Sequence, residues 1–252
     1  MSPVAPTLHA QAVSFDLGQT LLELDESLLL EQAQHHGYRI AASRVGLEQD
    51  HAWGAYNRAK SDGLVGFDAW SAFMRDLLLR VEFCTDNDRK PADPARLEAF
   101  VRFLWSEQPH NNLWRKPVPG MLELMEALSA RGIRIGVLTN SEGRAKELID
   151  TTGFGPFIDT VVDSGVEGIE KPDPRMFSRI AERLDRAARD IVHIGDSYQA
   201  DVLGALGAGM TPVWFVRETT VTLPPGVLWC RNAVELRTLL LPSTSSGSPG
   251  LR

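Results

Sequence analysis

Ala12-Val13-Ser14-Phe15-Asp16-Leu17-Gly18-Gln19-Thr20-Leu21 joins a short apolar, β-prone run to a carboxylate, a glycine turn and a threonine. The run reads as a buried strand. Asp16 then falls at the C-terminal edge of that strand, where open α/β sheets place their ligand crevice. It is the first candidate for chemistry.

For about a hundred residues beyond Asp16 the pattern is helical. Asp25 is placed to cap a helix through His36 that stops at Gly37, and Ser43 to cap a second, with Val45, Leu47, Trp53 and Tyr56 on a loose apolar face. Phe67 to Phe83 predicts a third, with Trp70, Phe73, Met74, Leu77, Leu78 and Val81 at helical spacing. Asp93-Pro94 opens a fourth, carrying Leu97, Phe100, Val101 and Leu104. Trp53, Trp70, Trp105, Trp114 and, later, Trp214 read as packing residues rather than a ligand box.

From Val118-Pro119-Gly120 strands and helices alternate. Helices are predicted over 121–131, from Gly143 to Thr152, from Pro174 through Leu184, over Gln199–Leu206 and near 233–240. Strands are predicted over Ile133–Thr139, Ile158–Val162, Asp190–Ile194 and Thr211–Val216. Repeated βα units with apolar strands imply an α/β protein with a doubly wound parallel sheet. The core is expected over 1–21 and 117–242, with an α-helical insertion over 22–116. An insertion at that point is placed to overhang Asp16 and exclude water. Residues 1–10 read as a loose arm, and 243–252, rich in Ser, Gly and Pro, as a disordered tail.

The 252 residues carry a net charge of -7, which argues against nucleic acid as the main partner but not against small anions. Cys84 and Cys230 are far apart and fit free thiols in a reducing compartment. The first ten residues lack the basic and apolar regions of a signal peptide, and no apolar run approaches the ~18–20 residues of a membrane helix. A soluble, cytoplasmic protein with no membrane partner is the expectation. The sequence leaves oligomeric state unread.

Polar residues gather at four predicted strand ends. Asp16 and Thr20 form the first. Thr139-Asn140-Ser141 supplies hydroxyls and an amide at a strand-to-helix turn, where backbone N–H groups and a hydroxyl make a phosphate cradle. Lys171 is held extended by Pro172, so its ammonium can reach the crevice. Gly195-Asp196-Ser197-Tyr198-Gln199-Ala200-Asp201 brings two carboxylates just after a strand. Together they offer a nucleophile, an anion site, one positive charge and an acidic site for Mg²⁺, which takes oxygen ligands. Asp16, Asp196 and the Gly18 carbonyl are the candidate metal ligands. His193 falls inside a strand pattern and reads as a hydrogen-bonded core histidine.

FDLGQTL at 15–21, VLTNS at 137–141, EKPDPRMF at 170–177 and IGDSYQADVLGALGAGM at 194–210 resemble, in order, the four motifs of the haloacid dehalogenase (HAD) superfamily, here with an inserted helical cap of the C1 type. The resemblance covers the whole core. It implies a Rossmann-like fold and a hydrolase acting on small phosphorylated molecules through an aspartyl-phosphate. Asp16 would be the nucleophile, Thr139, Asn140 and Lys171 would hold phosphate, Asp196 would bind Mg²⁺, and Asp201 would stand in or beside its outer shell. Thr20 would hydrogen-bond the Asp16 loop.

One position departs from the pattern. Phosphatases of the superfamily carry a second Asp, as general acid and base, where this chain has Gly18. General acid catalysis is worth roughly 10²–10⁴-fold. An alkoxide leaving group would suffer most from its loss, a phenolate or carboxylate least. The superfamily also contains metal-free dehalogenases and phosphonate hydrolases with a Schiff-base lysine in the cap; Lys60 and Lys90 lie in the cap here, neither in a recognisable motif, and Lys60 reads more simply as a solvated surface lysine. The intact acidic motif disfavours the dehalogenase. A phosphoryl-ligand-binding protein without turnover is the alternative outside catalysis. Gln19 and Glu23 are near Gly18 in sequence but carry no geometry as substitute donors.

Overall fold

A computed structural model describes residues 8, 10–87, 90–217, 219 and 221–241. The predicted tail over 243–252 and most of the N-terminal arm lie outside the described residues. The chain divides into two compact units, Met1–Leu22 with Pro117–Arg252, and Glu23–Lys116. In order, it runs through β1 (Ala12–Phe15), β2 (Leu22–Leu24), α1 (Glu26–His35), β3 (Tyr38–Arg39), α2 (Ala42–Ser61), α3 (Gly66–Arg80), β4 (Cys84–Thr85), α4 (Pro94–Glu107) and β5 (Trp114–Pro117). It continues through α5 (Met121–Ser129), β6 (Arg134–Thr139), α6 (Ala145–Thr151), β7 (Thr160–Asp163), α7 (Ser164–Glu167), α8 (Pro174–Leu184) and β8 (Ile191–Gly195). A π-helical turn, Tyr198–Leu203, then leads into α9 (Gly204–Gly207), β9 (Thr211–Phe215), β10 (Leu228–Cys230) and α10 (Ala233–Leu240).

The first unit is built on a six-stranded sheet in the order β10-β9-β8-β1-β6-β7, parallel throughout. From β1 the chain steps outward to β6 and β7, returns to β8 on the other side of β1, and steps outward again. The order therefore reverses between β1 and β8, the point at which such sheets bind ligands beyond their carboxyl ends. Asp16 follows β1 there, and Asp196 follows β8.

The strands are apolar because helices cover them. Along α8, Met176, Phe177, Ile180 and Leu184 are fully buried at spacings of one to four residues, and they pack with Ala12, Leu138, Val162 and Ile191. Each such side chain contributes about 1.5–3 kcal/mol by leaving water. Gly136 on β6 permits the close approach of α8, since a Cβ there would stand 2.7 Å from Ile180 Cδ1.

In the second unit α3 buries Trp70, Phe73, Met74, Leu77 and Leu78 on one face. Asp25 and Asp93 cap α1 and α4 through their side chains, accepting from Leu28 N and Arg96 N. Trp53, Trp70, Trp105 and Trp114 pack with one another and with Phe73, ring centroids 4.4–6.4 Å apart.

Three expectations of local structure change. Ser43 does not cap α2: the helix starts after Ala41, whose N–H is bonded to Val81 O at 2.7 Å, so a tertiary bond sets the start and no side chain caps it. Leu47 is 75% exposed and lies off the apolar face of α2. The predicted helix over 199–206 begins as a π-turn, in which Val202 N bonds Ser197 O five residues back, and becomes α-helical only at Gly204. No helix of the described residues is long and apolar enough to cross a membrane.

Candidate active site

Asp16 is anchored as the next rung of the sheet: its N–H donates to Ile194 O on β8 at 2.8 Å. The chain then turns back on itself. The N–H groups of Leu21 and Leu22 both donate to Leu17 O, and Gln19 N donates to Leu22 O at 2.6 Å, with Gln19 in the left-handed region at φ 59°. These backbone bonds hold the loop. Thr20 is fully buried, yet among the described residues its hydroxyl has no hydrogen-bond partner, so the expected bond from Thr20 to the Asp16 loop is not made. Gly18 sits in this turn, bridged to Leu22.

Lys171 is the hub. Its side chain is 2% exposed, and Nζ donates to Asp16 Oδ1 at 2.6 Å, to Asp201 Oδ1 at 2.6 Å and to Leu138 O at 2.7 Å. All three ammonium protons are thus committed. The Lys171–Pro172 peptide is cis. Asn140 fixes the lysine's backbone from both sides: its Oδ1 accepts from Lys171 N at 2.8 Å and its Nδ2 donates to Lys171 O at 3.0 Å. The Asn140 side-chain amide thus positions Lys171 through the lysine's backbone. Thr139, buried at the end of β6, directly follows Leu138, whose carbonyl holds Lys171.

Asp16, Asp196 and Asp201 each offer an oxygen within 4.8 Å of the others. Burial pushes the Asp16 carboxyl up to about 6 against the pull of Lys171. Burial, with Asp16 and Asp201 opposite, pushes Asp196 well above the usual carboxylate range. Asp201 is buried too, but Lys171 and His193 outweigh that and hold it at about 2. Burial likewise opposes charge on Lys171, and its two carboxylate partners overcome this and raise its pKa. Trp214 Nε1 donates to Asp196 O at 2.7 Å and fixes the loop after β8.

Three carboxylates thus face one ammonium, and among the described residues no side-chain cation pairs with Asp196. This donor set fits a divalent cation: it is all oxygen, carries surplus negative charge, and has two members, Asp16 and Asp196, whose ionisation is held back by burial and by neighbouring carboxylates.

Asp163 and Ser14 escaped the sequence reading, and His193, read as a hydrogen-bonded core histidine, is one whose partners include Asp201. Asp163, at the end of β7, accepts from Ser141 Oγ, Ala145 N, Gly143 N and Gly165 N at 2.8–3.1 Å, and so shapes the loop after Thr139. Ser14 and His193 lie opposite each other on β1 and β8, both fully buried, and His193 reaches Asp201. A polar residue inside each of two neighbouring apolar strands was the available signal. Glu23, by contrast, is paired with Lys116 at 2.8 Å.

Against this geometry the comparisons with known proteins are consistent. The family model for haloacid dehalogenase-like hydrolases matches residues 10–209, and the chain belongs to that family of hydrolases. Glyceraldehyde 3-phosphate phosphatase of Methanopyrus kandleri is 30% identical over 205 residues, 81% of this chain and 82% of the relative. Phosphoglycolate phosphatase of Rhodospirillum rubrum is 36% identical over 122 residues, 48% of this chain and 50% of the relative. The crystal structure of a HAD phosphatase from Thermococcus onnurineus shares the fold, with a TM-score of 0.57 at 24% identity over 90% of this chain and 96% of that one.

Proposed function

We propose that this hydrolase is a Mg²⁺-dependent phosphatase of small phosphorylated molecules in which Asp16 is the nucleophile. The observation that carries the reading is the Asp16–Lys171 ion pair standing beside a three-carboxylate cluster at the β1/β8 switch point. Relatives named as phosphatases of glyceraldehyde 3-phosphate and phosphoglycolate support the substrate class.

Asp16 attacks phosphorus, the P–O bond to the ester oxygen breaks, and the leaving alkoxide or phenolate departs to take its proton from water, while Lys171 keeps the Asp16 carboxylate oriented and offsets negative charge on the phosphoryl group. The Thr139 hydroxyl, at the same sheet edge, holds a phosphoryl oxygen. Mg²⁺, held by Asp16, Asp196 and the Gly18 carbonyl, would supply neutralising charge to the phosphoryl oxygens when bound. Asp201 does not need to enter that shell, because its Oδ1 already serves Lys171. Water then hydrolyses the acyl phosphate and restores Asp16. The same acidic cluster favours phosphoryl over carbon–halogen chemistry, since halide release needs no such site.

Gly18 gives this reaction its weak point, because it has no proton to lend. The test compares aryl and alkyl phosphate hydrolysis in the native protein and in Gly18→Asp, with Mg²⁺. The native protein is expected to depend steeply on leaving-group pKa, and Gly18→Asp to flatten that dependence. Equal native activity on both esters would mean that another residue supplies the acid. No Mg²⁺-dependent hydrolysis of either ester would overturn the phosphatase reading.

A further inference from the structure

Asp201 reaches Lys171 with one oxygen and is itself held from behind, inside the sheet. Asp201 Oδ1 accepts from Lys171 Nζ at 2.6 Å and lies 3.1 Å from His193 Nε2, while Oδ2 accepts from Ser197 N at 3.0 Å. Its carboxyl is also pressed against Gly195, where a Cβ would stand 2.2 Å from Asp201 Cγ. His193 is itself fixed: Nδ1 is 2.7 Å from Ser14 Oγ, on the residue directly opposite across the parallel β1–β8 pair, and its ring meets Phe177 edge-on with centroids 5.4 Å apart.

We infer that His193, oriented by Ser14, is a positioning residue that locks Asp201 and through it the Lys171 ammonium on Asp16. The proposal rests on the phosphatase reading for its kinetic consequence, but not for its hydrogen bonds. Both Asp201 oxygens already accept, Oδ1 from Lys171 Nζ and Oδ2 from Ser197 N, so the hydrogen between Asp201 and His193 belongs to Nε2. In the neutral ring Nδ1 then has only a lone pair, and Ser14 donates to it. The result is a directed chain, Ser14 to His193 to Asp201, with Lys171 bridging Asp201 and Asp16. His193 satisfies part of Asp201 Oδ1 and holds that carboxylate toward Lys171. Without this donor, Oδ1 loses its anchor on the sheet side while only Ser197 N and the Gly195 contact still hold the carboxylate, and the bearing of the ammonium on the nucleophile loosens.

Three substitutions separate this role from core packing. Gln at position 193 can place an amide N–H near the former Nε2, Asn is equally polar but too short to reach Asp201, and Phe keeps the ring volume without a donor. With p-nitrophenyl phosphate and Mg²⁺, His193→Phe and His193→Asn are expected to lose about 10- to 100-fold in kcat with KM changed less than about threefold, and His193→Gln to recover most of the loss. Ser14→Ala should fall between. Thermal melts identify any variant that fails to fold, and only folded variants are compared. Equal kcat in folded Asn and Gln variants, or a folded Phe variant with native kcat, would overturn the proposal. An arm independent of turnover uses ¹⁵N-histidine NMR of the native protein: the neutral ring protonated at Nε2 is expected for His193. The Nδ1-protonated tautomer, or an imidazolium at neutral pH, would overturn it. A native protein without turnover would refute the phosphatase reading, and the NMR result would still decide the placement of His193.

Discussion

Replacing Asp196 by Asn removes one negative charge from a site that holds three carboxylates and one ammonium. Without a divalent ion, the variant is expected to be more stable than the native protein. The three carboxylates offer oxygens within 4.8 Å of one another, and at that outer separation two unit charges interact by about 3.5 kcal/mol at an effective dielectric of ~20. Asp196 faces two such carboxylates, and the attraction of Lys171 offsets roughly one of them. One repulsion's worth is an upper value, because Asp196 is half-buried and takes up a proton readily. Solvent screening and that proton leave about 1–2 kcal/mol, or about 2–8 °C in Tm for a chain of this size. Excess Mg²⁺ should reverse the order. At a hundred times its Kd a ligand adds about 2.7 kcal/mol to the native protein, and the variant, lacking a ligand, gains much less. The assay is thermal and urea unfolding of both proteins in EDTA and in Mg²⁺. A variant less stable than native in EDTA would refute the reasoning, as would an equal gain from Mg²⁺ in both.

Two further outcomes follow from the same charges. Lys171→Met leaves Asp16 and Asp201 buried without their cation and is expected to cost about 3–5 kcal/mol at pH 7, and less at pH 5, where the carboxylates protonate; urea melts at the two pH values check this. Asp16 titrates at about 6 in the fold against an ordinary 3.8, so its proton is bound more tightly folded than unfolded. Its contribution to stability is present below pH ~4 and is lost as pH rises through about 6. The stability of Asp16→Asn relative to native should therefore grow by about 2–3 kcal/mol between pH 4 and 7 in EDTA. A flat or falling difference would contradict it.

The βα alternation was legible because its strands are contiguous apolar runs and its helices carry buried residues at helical spacing, as α8 and α3 do. Asp25 and Asp93 could be read as caps because their side chains do the capping locally. The start of α2 could not, because the bond that sets it comes from Val81. β2, β3, β4, β5 and β10 span only two to four residues and exist through pairing, which leaves too little pattern to read. At the candidate site the residue types at the strand ends were visible, with Asp16, Lys171, Asp196 and Asp201 now found within reach of one another. The division of labour among them was not. That Asn140 grips a backbone, that the Thr20 hydroxyl is left unpaired, and that Asp163 and His193 are hydrogen-bond hubs depends on contacts across 8–179 residues of sequence or on a single rotamer.

Turnover by this site passes through a covalent bond between Asp16 and phosphorus. Incubating the native protein with Mg²⁺ and an aryl phosphate, quenching in acid and mapping the digest by mass spectrometry tests this directly. The expected result is one phosphoryl group on the peptide containing Asp16, accumulating because Gly18 offers no base to hasten its release, and absent from Asp16→Asn. Steady hydrolysis with no label on that peptide, undiminished in Asp16→Asn, would contradict it.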